Sequence, residues 1–179
     1  MIIRIFNKIK TYFVFFSMAL NKNIHCRFLP HGVFCLDTIS VDNISRIEIA
    51  KDFSIRKGTV LECKRGVMKI GKNVFLNRNC IVTCLKAVSV GDNCILGPDI
   101  KIYDHDHLYK HGQAVKDNYI TKEIVIEKNC WIGAGCIILK GAHIGAGSVI
   151  GAGCVITGYI PPDSRVVTDR KLMIKENYG

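Results

Sequence analysis

Proline and aromatic residues are scarce in this chain, and each scarcity narrows the fold. Only 4 prolines and one tryptophan occur in 179 residues, and aromatics make up 8%. A core of many small β-branched residues suits short stacked strands better than a bundle of bulky helices. With 49% apolar residues the chain is globular rather than disordered. Its length suffices for one domain with a real core. CxxC pairs are absent: Cys80 and Cys84 are the closest cysteines, and neither has a His at metal-finger spacing. Helix-turn-helix and RNA-binding signatures are lacking too, and the basic residues are scattered. The net charge of +10 is therefore not read as nucleic-acid binding. It suits a phosphate-rich ligand or an anionic membrane surface.

The apolar run from Tyr12 to Leu20 follows Arg4, Lys8 and Lys10 and is too short to span a bilayer as a helix. Ile2, Ile5, Phe6, Ile9, Phe13 and Phe16 recur at helical spacing, with Lys8 and Lys10 off that stripe. Residues 1–22 are read as an amphipathic helix that packs on its own domain or a neighbouring subunit, or touches a membrane surface through residues 1–20.

What the chain has in abundance is a period of six. Ile126, Ile132, Ile138, Ile144, Ile150 and Ile156 follow it without a miss. Val90, Leu96 and Ile102 keep it upstream, as do Ile70, Leu76 and Val82, and before them Ile49, Ile55, Leu61 and Val67. Such a period is neither helical nor a simple strand alternation; it repeats a corner. Three hexads close a triangular coil of about 18 residues, and stacked coils bury the apolar column. Gly follows the apolar residue at Gly71, Gly91, Gly97, Gly133, Gly145 and Gly151, where it is expected to relieve backbone conformations that disfavour a Cβ. Two residues before each apolar position stand Cys94, Cys130, Cys136, Ala142, Ser148 and Cys154, small as a tight interior requires. Most of the 9 cysteines are thus core residues, which points to a reducing compartment, the cytosol.

Register slips fall between Val67 and Ile70 and between Val82 and Val90. The large break lies between Ile102 and Ile126, and 103–123, polar and His-rich, is read as a loop thrown out of the solenoid. A long loop leaving a rigid scaffold is where function concentrates. Pro161-Pro162 is expected to end the solenoid. The chain then divides into helix 1–22, solenoid 23–162 with loop 103–123, and tail 163–179, with a short helix over 170–176.

The segments IKIYDHDH at 100–107 and IVIEKNCWIGAGCIILKGAHIGAGSVIGAGCVITGYIPP at 124–162 resemble the hexapeptide-repeat acyltransferases, in the branch of galactoside, maltose, capsule and O-antigen O-acetyltransferases. With the earlier hexads the resemblance covers roughly residues 45–165. It implies an all-β fold, a left-handed parallel β-helix solenoid with an extruded loop. It also implies a homotrimer with sites between neighbours, acetyl-CoA as donor and no metal. The catalytic base it implies is His107, the last His of the DHDH run, with His105 second and Asp104 or Asp106 orienting a ring. The resemblance puts Asn77 and Trp131 at the acceptor and Ala134, Ala152 and Thr157 along the cofactor. The family often has Lys after that Thr and a terminal turn whose Arg reaches the CoA phosphates. Here Gly158 and the Thr168-Asp169-Arg170-Lys171 run stand instead, leaving Arg170 or Lys171 for that contact.

The chemistry agrees with this choice of residues. Moving an acyl group from a thioester to a hydroxyl needs a base for the proton, a donor for the oxyanion, and alignment. Histidine is the natural base near neutral pH. The expected function is O-acetylation of a saccharide in surface polysaccharide or glycan synthesis, in the cytoplasm or at the inner face of the membrane. Three other readings compete: N-acetylation of an amino-sugar nucleotide, a zinc protein like the gamma-class carbonic anhydrases using His105, His107, His111 or His143, and a non-catalytic trimeric solenoid.

Overall fold

The computed structural model describes residues 22–26, 31–32 and 39–169. The expected helices over 1–22 and 170–176 lie outside these, apart from Lys22, which sits in a turn. The described residues form strands and turns only. Successive strands rotate through three parallel sheets, called A, B and C here. Sheets A and B have seven strands each and sheet C six, with neighbours always one coil apart. Ile49, Ile70, Val90, Ile126 and Ile144 fill the inner face of sheet A; Ile55, Leu76, Leu96, Ile132 and Ile150 that of sheet B; Leu61, Val82, Ile102, Ile138 and Ile156 that of sheet C. All are buried. Each such side chain contributes roughly 1.5–3 kcal/mol by leaving water, and because coils contact only their neighbours the core is a column, not a centre.

From Ile49 onward the six-residue period is unbroken at two of the three edges, from sheet A to B and from B to C. In the first coil Gly32 and Ile39, which pair with Ile55 and Leu61, stand seven apart. Beyond the first coil all irregularity falls at the edge from C back to A: Leu61 to Ile70, Val82 to Val90, Ile102 to Ile126 and Ile156 to Ile160, while Ile138 to Ile144 keeps six. Val67, placed on the inward column by its spacing, is 38% exposed; the extra corner residues Lys64–Gly66 shift the inward role to Met68 and Ile70. The positions two before the inward column hold Ile47, Phe53, Thr59, Met68, Val74 and Cys80 in the early coils. They narrow to Cys136, Ala142, Ser148 and Cys154 where the corners are shortest.

The glycines after the inward column act otherwise than expected. Their φ is not positive; the positive φ falls two residues later, at Asn73, Asn93, Asn129 and Gly147 on one edge and Asn79, Asp99, Gly135 and Gly153 on the next. Gly91 is required because a Cβ there would stand 2.5 Å from the Lys128 nitrogen of the coil above, and at Gly133 it would stand 2.6 Å from the Ala152 nitrogen. Close approach of stacked backbones, not backbone strain, selects these glycines. Asn and Asp tolerate the left-handed positions, and their side chains chain together: Asn73 donates to Asn93 and Asn93 to Asn129, each at 3.1 Å.

The small interior side chains are donors. Cys80 Sγ donates to the Gly97 carbonyl at 3.2 Å, Cys94 to Glu127 at 3.0 Å, Cys130 to Gly145 at 3.3 Å and Cys136 to Gly151 at 3.0 Å. Thr59 and Ser148 make the same bond with hydroxyls, to Asn77 at 2.6 Å and Pro161 at 3.0 Å. Each satisfies a corner carbonyl of the coil above. Every cysteine whose side chain is described, apart from this bonding, is free and buried. Burial pushes the Cys80 and Cys136 thiols up, so they stay protonated and unreactive.

The proline pair does not close the stack. Sheet B continues through Arg165–Val166, which pairs with Val149–Ile150. In lower coils the residue after the inward position donates its N–H upward, as Gly91 does to Ile126 and Gly145 to Ile160. Tyr159–Ile160 is the last strand of sheet A, so the missing N–H of Pro161 leaves no bond unmade.

Candidate active site

The break after Ile102 is an antiparallel hairpin rather than an irregular loop. His105–Lys110 pairs with Gln113–Thr121, and these two strands join no other sheet. The tip is His111-Gly112, both with positive φ, the two-residue geometry that matches strand twist. That His-Gly pair between short alternating runs was the available sequence signal. The root is closed by Lys122 N–H donating to the Asp104 carbonyl at 2.9 Å.

Asp104 is wholly buried. Its carboxylate accepts backbone N–H bonds from Leu85 at 2.8 Å, Lys86 at 2.7 Å and Ala87 at 2.9 Å, in the corner of the coil below. Three N–H donors neutralise a charge that burial alone would make costly. Asp104 Oδ1 also lies 3.2 Å from His105 Nδ1. The His105 side chain is only 15% exposed, edge-on between Tyr103 and Tyr119. Alternation along the strand carries His107 to the same face. It is exposed, and its ring lies 4.9 Å from that of Tyr119, its partner across the hairpin. Asp106 turns the other way and pairs with Lys140 at 2.6 Å.

The sequence-derived residues thus fall in two places. Asp104, His105, Asp106, His107 and Thr157 cluster at the edge between sheets C and A. Asn77, Ala134 and Ala152 stack at the edge between B and C, and Trp131 stands 56% exposed on sheet B between Ile95 and Val149. In a triangular coil the face of sheet B lies opposite the C–A edge, so one chain does not bring Trp131 to the histidines. Asn77 bonds its own corner: its Oδ1 accepts the Arg78 N–H at 2.9 Å. Arg170 and Lys171 lie outside the described residues. The described histidines do not converge on a metal arrangement: His111 stands at the hairpin tip, and His143 Nε2 lies 2.7 Å from the Glu127 carboxylate, to which it donates, on sheet A. No group of three or more His, Cys, Asp or Glu side chains suited to a metal ion occurs among the described residues. Tyr119, Lys140 and the Glu127–His143 pair were not singled out from sequence; without the hairpin register nothing placed Tyr119 opposite His107.

A parallel solenoid of hexads that extrudes a two-histidine hairpin defines a class of protein, and comparisons with known proteins narrow it. The family model of the bacterial transferase hexapeptide (six repeats) matches residues 123–158. That of the hexapeptide repeat of succinyl-transferase matches 67–98. A hexapeptide-repeat acetyltransferase from Vibrio cholerae, solved with acetyl-coenzyme A, is 33% identical with a TM-score of 0.52, over 55% of this chain and 54% of that one. A maltose O-acetyltransferase from Clostridium difficile is 29% identical with a TM-score of 0.55, over 79% of this chain and 72% of that one. Nodulation protein L of Rhizobium leguminosarum bv. viciae is 40% identical over 40 residues, 22% of this chain and 21% of the relative. The chain therefore spans about a fifth of that curated relative and about half of the Vibrio protein. Its repeats are similar to those of the hexapeptide transferases over residues 67–98 and 123–158.

Proposed function

We propose that this chain transfers the acetyl group of acetyl-CoA to a hydroxyl of a saccharide, in surface polysaccharide or glycan synthesis, with His107 as general base. The observation that carries this is the hairpin itself: a buried, N–H-bound Asp104 fixes its root, and His107 stands exposed on it beside a second histidine. A base must reach the proton it takes. The hydroxyl proton goes to His107 as the oxygen attacks the thioester carbonyl, and the imidazolium then protonates the departing CoA thiolate. A second reading has one specific support: of the two hairpin histidines, His105 has a carboxylate at Nδ1, the arrangement that orients a general base. Its enclosure between two tyrosines argues against it.

The split of the site residues between opposite sides of the coil supports a homotrimer in which the hairpin of one copy meets Asn77, Trp131, Ala134 and Ala152 of the next. A cytoplasmic location, with residues 1–20 touching the inner face of the membrane, completes the proposal.

The test is CoA thiol release from acetyl-CoA with a panel of saccharides. We expect release that depends on the acceptor and falls by about a hundredfold or more in His107→Ala, as removal of a general base does. Full activity in His107→Ala with loss in His105→Ala would move the base. No release with any saccharide would sink the proposal.

A further inference from the structure

The early coils carry a groove that acetyl transfer does not use. It lies on the outer face of sheet A and at its edge with B, encloses about 790 Å³, and is lined among others by His25, Arg46, Glu48, Lys51, Lys69 and Lys72. That volume is within the range of small-ligand sites. Strand alternation puts His25, Glu48 and Lys69 on the outer face, in register and one coil apart. Lys51 and Lys72 stack at the A–B edge, where the Lys51 carbonyl accepts the Asn73 N–H at 3.0 Å.

The groove has a surplus of positive charge. Glu48 is the one acid among its described lining residues, and it pairs with Arg46 at 2.8 Å. Asp92, one coil above Lys72, accepts the Lys72 backbone N–H at 2.7 Å. Lys51, Lys69 and Lys72 are exposed and form no ion pair among the described residues. Cations gathered in one concavity raise its potential and draw anions in. The preceding chain supplies no such anion: residues 1–36 contain no Asp or Glu, while Arg4, Lys8, Lys10 and Lys22 add positive charge. That basic, apolar-rich segment leads into strand Ile24–Cys26, whose His25 lines the groove. An acid-free apolar segment beside a cationic groove matches an anionic bilayer twice over, in its acyl chains and in its phosphates. We propose that the groove holds the phosphate of an anionic phospholipid headgroup, with Lys51, Lys69 and Lys72 as its cations, and so seats the early coils on a membrane surface. This rests on the membrane contact proposed above for residues 1–20 and is independent of which acceptor is acetylated.

Vesicle co-sedimentation of the full chain tests it, with vesicles of phosphatidylcholine alone and vesicles that also hold about 30% phosphatidylglycerol. Lys51→Gln/Lys69→Gln/Lys72→Gln removes the unpaired cations of the groove. Arg56→Gln/Lys57→Gln/Lys101→Gln makes the same change in net charge on the far side of the coil, at the B–C edge and in sheet C. We expect the parent to bind the anionic vesicles and not the neutral ones. The groove variant should bind at least about twentyfold more weakly, since each basic residue at an anionic surface contributes about fivefold. The charge-matched variant should stay within about threefold of the parent, because screening mutes distant charges. Thermal melting checks that each variant folds. Equal losses in both variants would assign binding to net charge and overturn the groove. Undiminished binding in the groove variant would leave the contact to residues 1–20 and overturn the groove alone. No binding of anionic vesicles by the parent overturns the groove and the membrane contact together, and leaves acetyl transfer standing. Lysine-dependent binding of glycerol phosphate in titration calorimetry, without binding of vesicles, would give the groove to a soluble phosphate ester and overturn the lipid.

Discussion

At the scale of single residues, the interior cysteines act as donors in a space where a larger side chain does not fit. Cys136 gives its S–H to the Gly151 carbonyl. A buried bond of this kind is worth about 1 kcal/mol net, and more when a partner is left unsatisfied. Cys136→Ser retains a donor while Cys136→Ala removes it, so thermal melting is expected to show the Ala variant lower. An Ala variant as stable as the Ser variant would contradict the donor role. The two kinds of glycine separate in the same experiment. Gly91→Ala drives a Cβ into the Lys128 and Glu127 backbone, at 2.5 and 2.8 Å, and is expected to cost about 3 kcal/mol or more. Gly135 has φ +67, and a methyl added there would meet nothing within 4 Å, so Gly135→Ala costs only the left-handed strain, about 1–2 kcal/mol. Gly135→Asn is expected to be milder still, because Asn79 occupies the same column at φ 58.

At the scale of elements, corners and hairpin are held by carboxylates that accept backbone N–H bonds. Asp104→Asn puts an amide NH2 group against donors that now meet a carboxylate, and is expected to cost about 3 kcal/mol or more. Limited proteolysis should then cut within 105–121 while the coils stay intact; equal resistance in variant and parent would deny Asp104 its anchoring role. Glu127 does similar work between the upper coils. A hydrogen bond with His143, and then the Ala146 N–H at 2.9 Å, hold its carboxyl below the usual range. A depressed carboxylate stabilises the fold above its unfolded pKa, and that contribution is lost as pH falls through the folded value. The melting difference between the parent and Glu127→Gln is expected to be present at pH 7 and to close below pH 4.5, the ordinary value for this group. A difference that persists at lower pH would assign it to packing instead.

At the scale of the whole molecule, the solenoid separates the hairpin from the face that bears Trp131. In the proposed cyclic trimer each site would take its histidine from one copy and Asn77 from the next. Co-expressed His107→Ala and Asn77→Ala chains, each inactive alone, should then recover activity in mixed trimers. Random mixing leaves about a quarter of the sites with both residues intact. Sedimentation velocity should show three copies, and no recovery in mixtures that do assemble would mean both residues serve one chain's own site or separate roles.

Much of this was legible in the order of residues because the repeat is local: each hexad specifies one strand and one corner, so Ile126 to Ile156 announce the coil without any distant contact. The break at 103–123, with its clustered histidines, was equally plain. What a period cannot carry is the relation between coils. That Gly91 faces the backbone of Lys128, that Cys136 donates to Gly151 and that Asp104 reaches back to Leu85–Ala87 depend on how the stack is spaced. Sequence alone determined a triangular stack of hexads with a histidine-bearing excursion, because alternation and small-residue slots are properties of neighbouring positions. Only the tertiary structure decided that the irregular corners from Ile49 onward lie on one edge, that the excursion is a hairpin, and that Tyr119 packs against both histidines. Those follow from which coils come to lie above one another, a three-dimensional relation that no single hexad encodes.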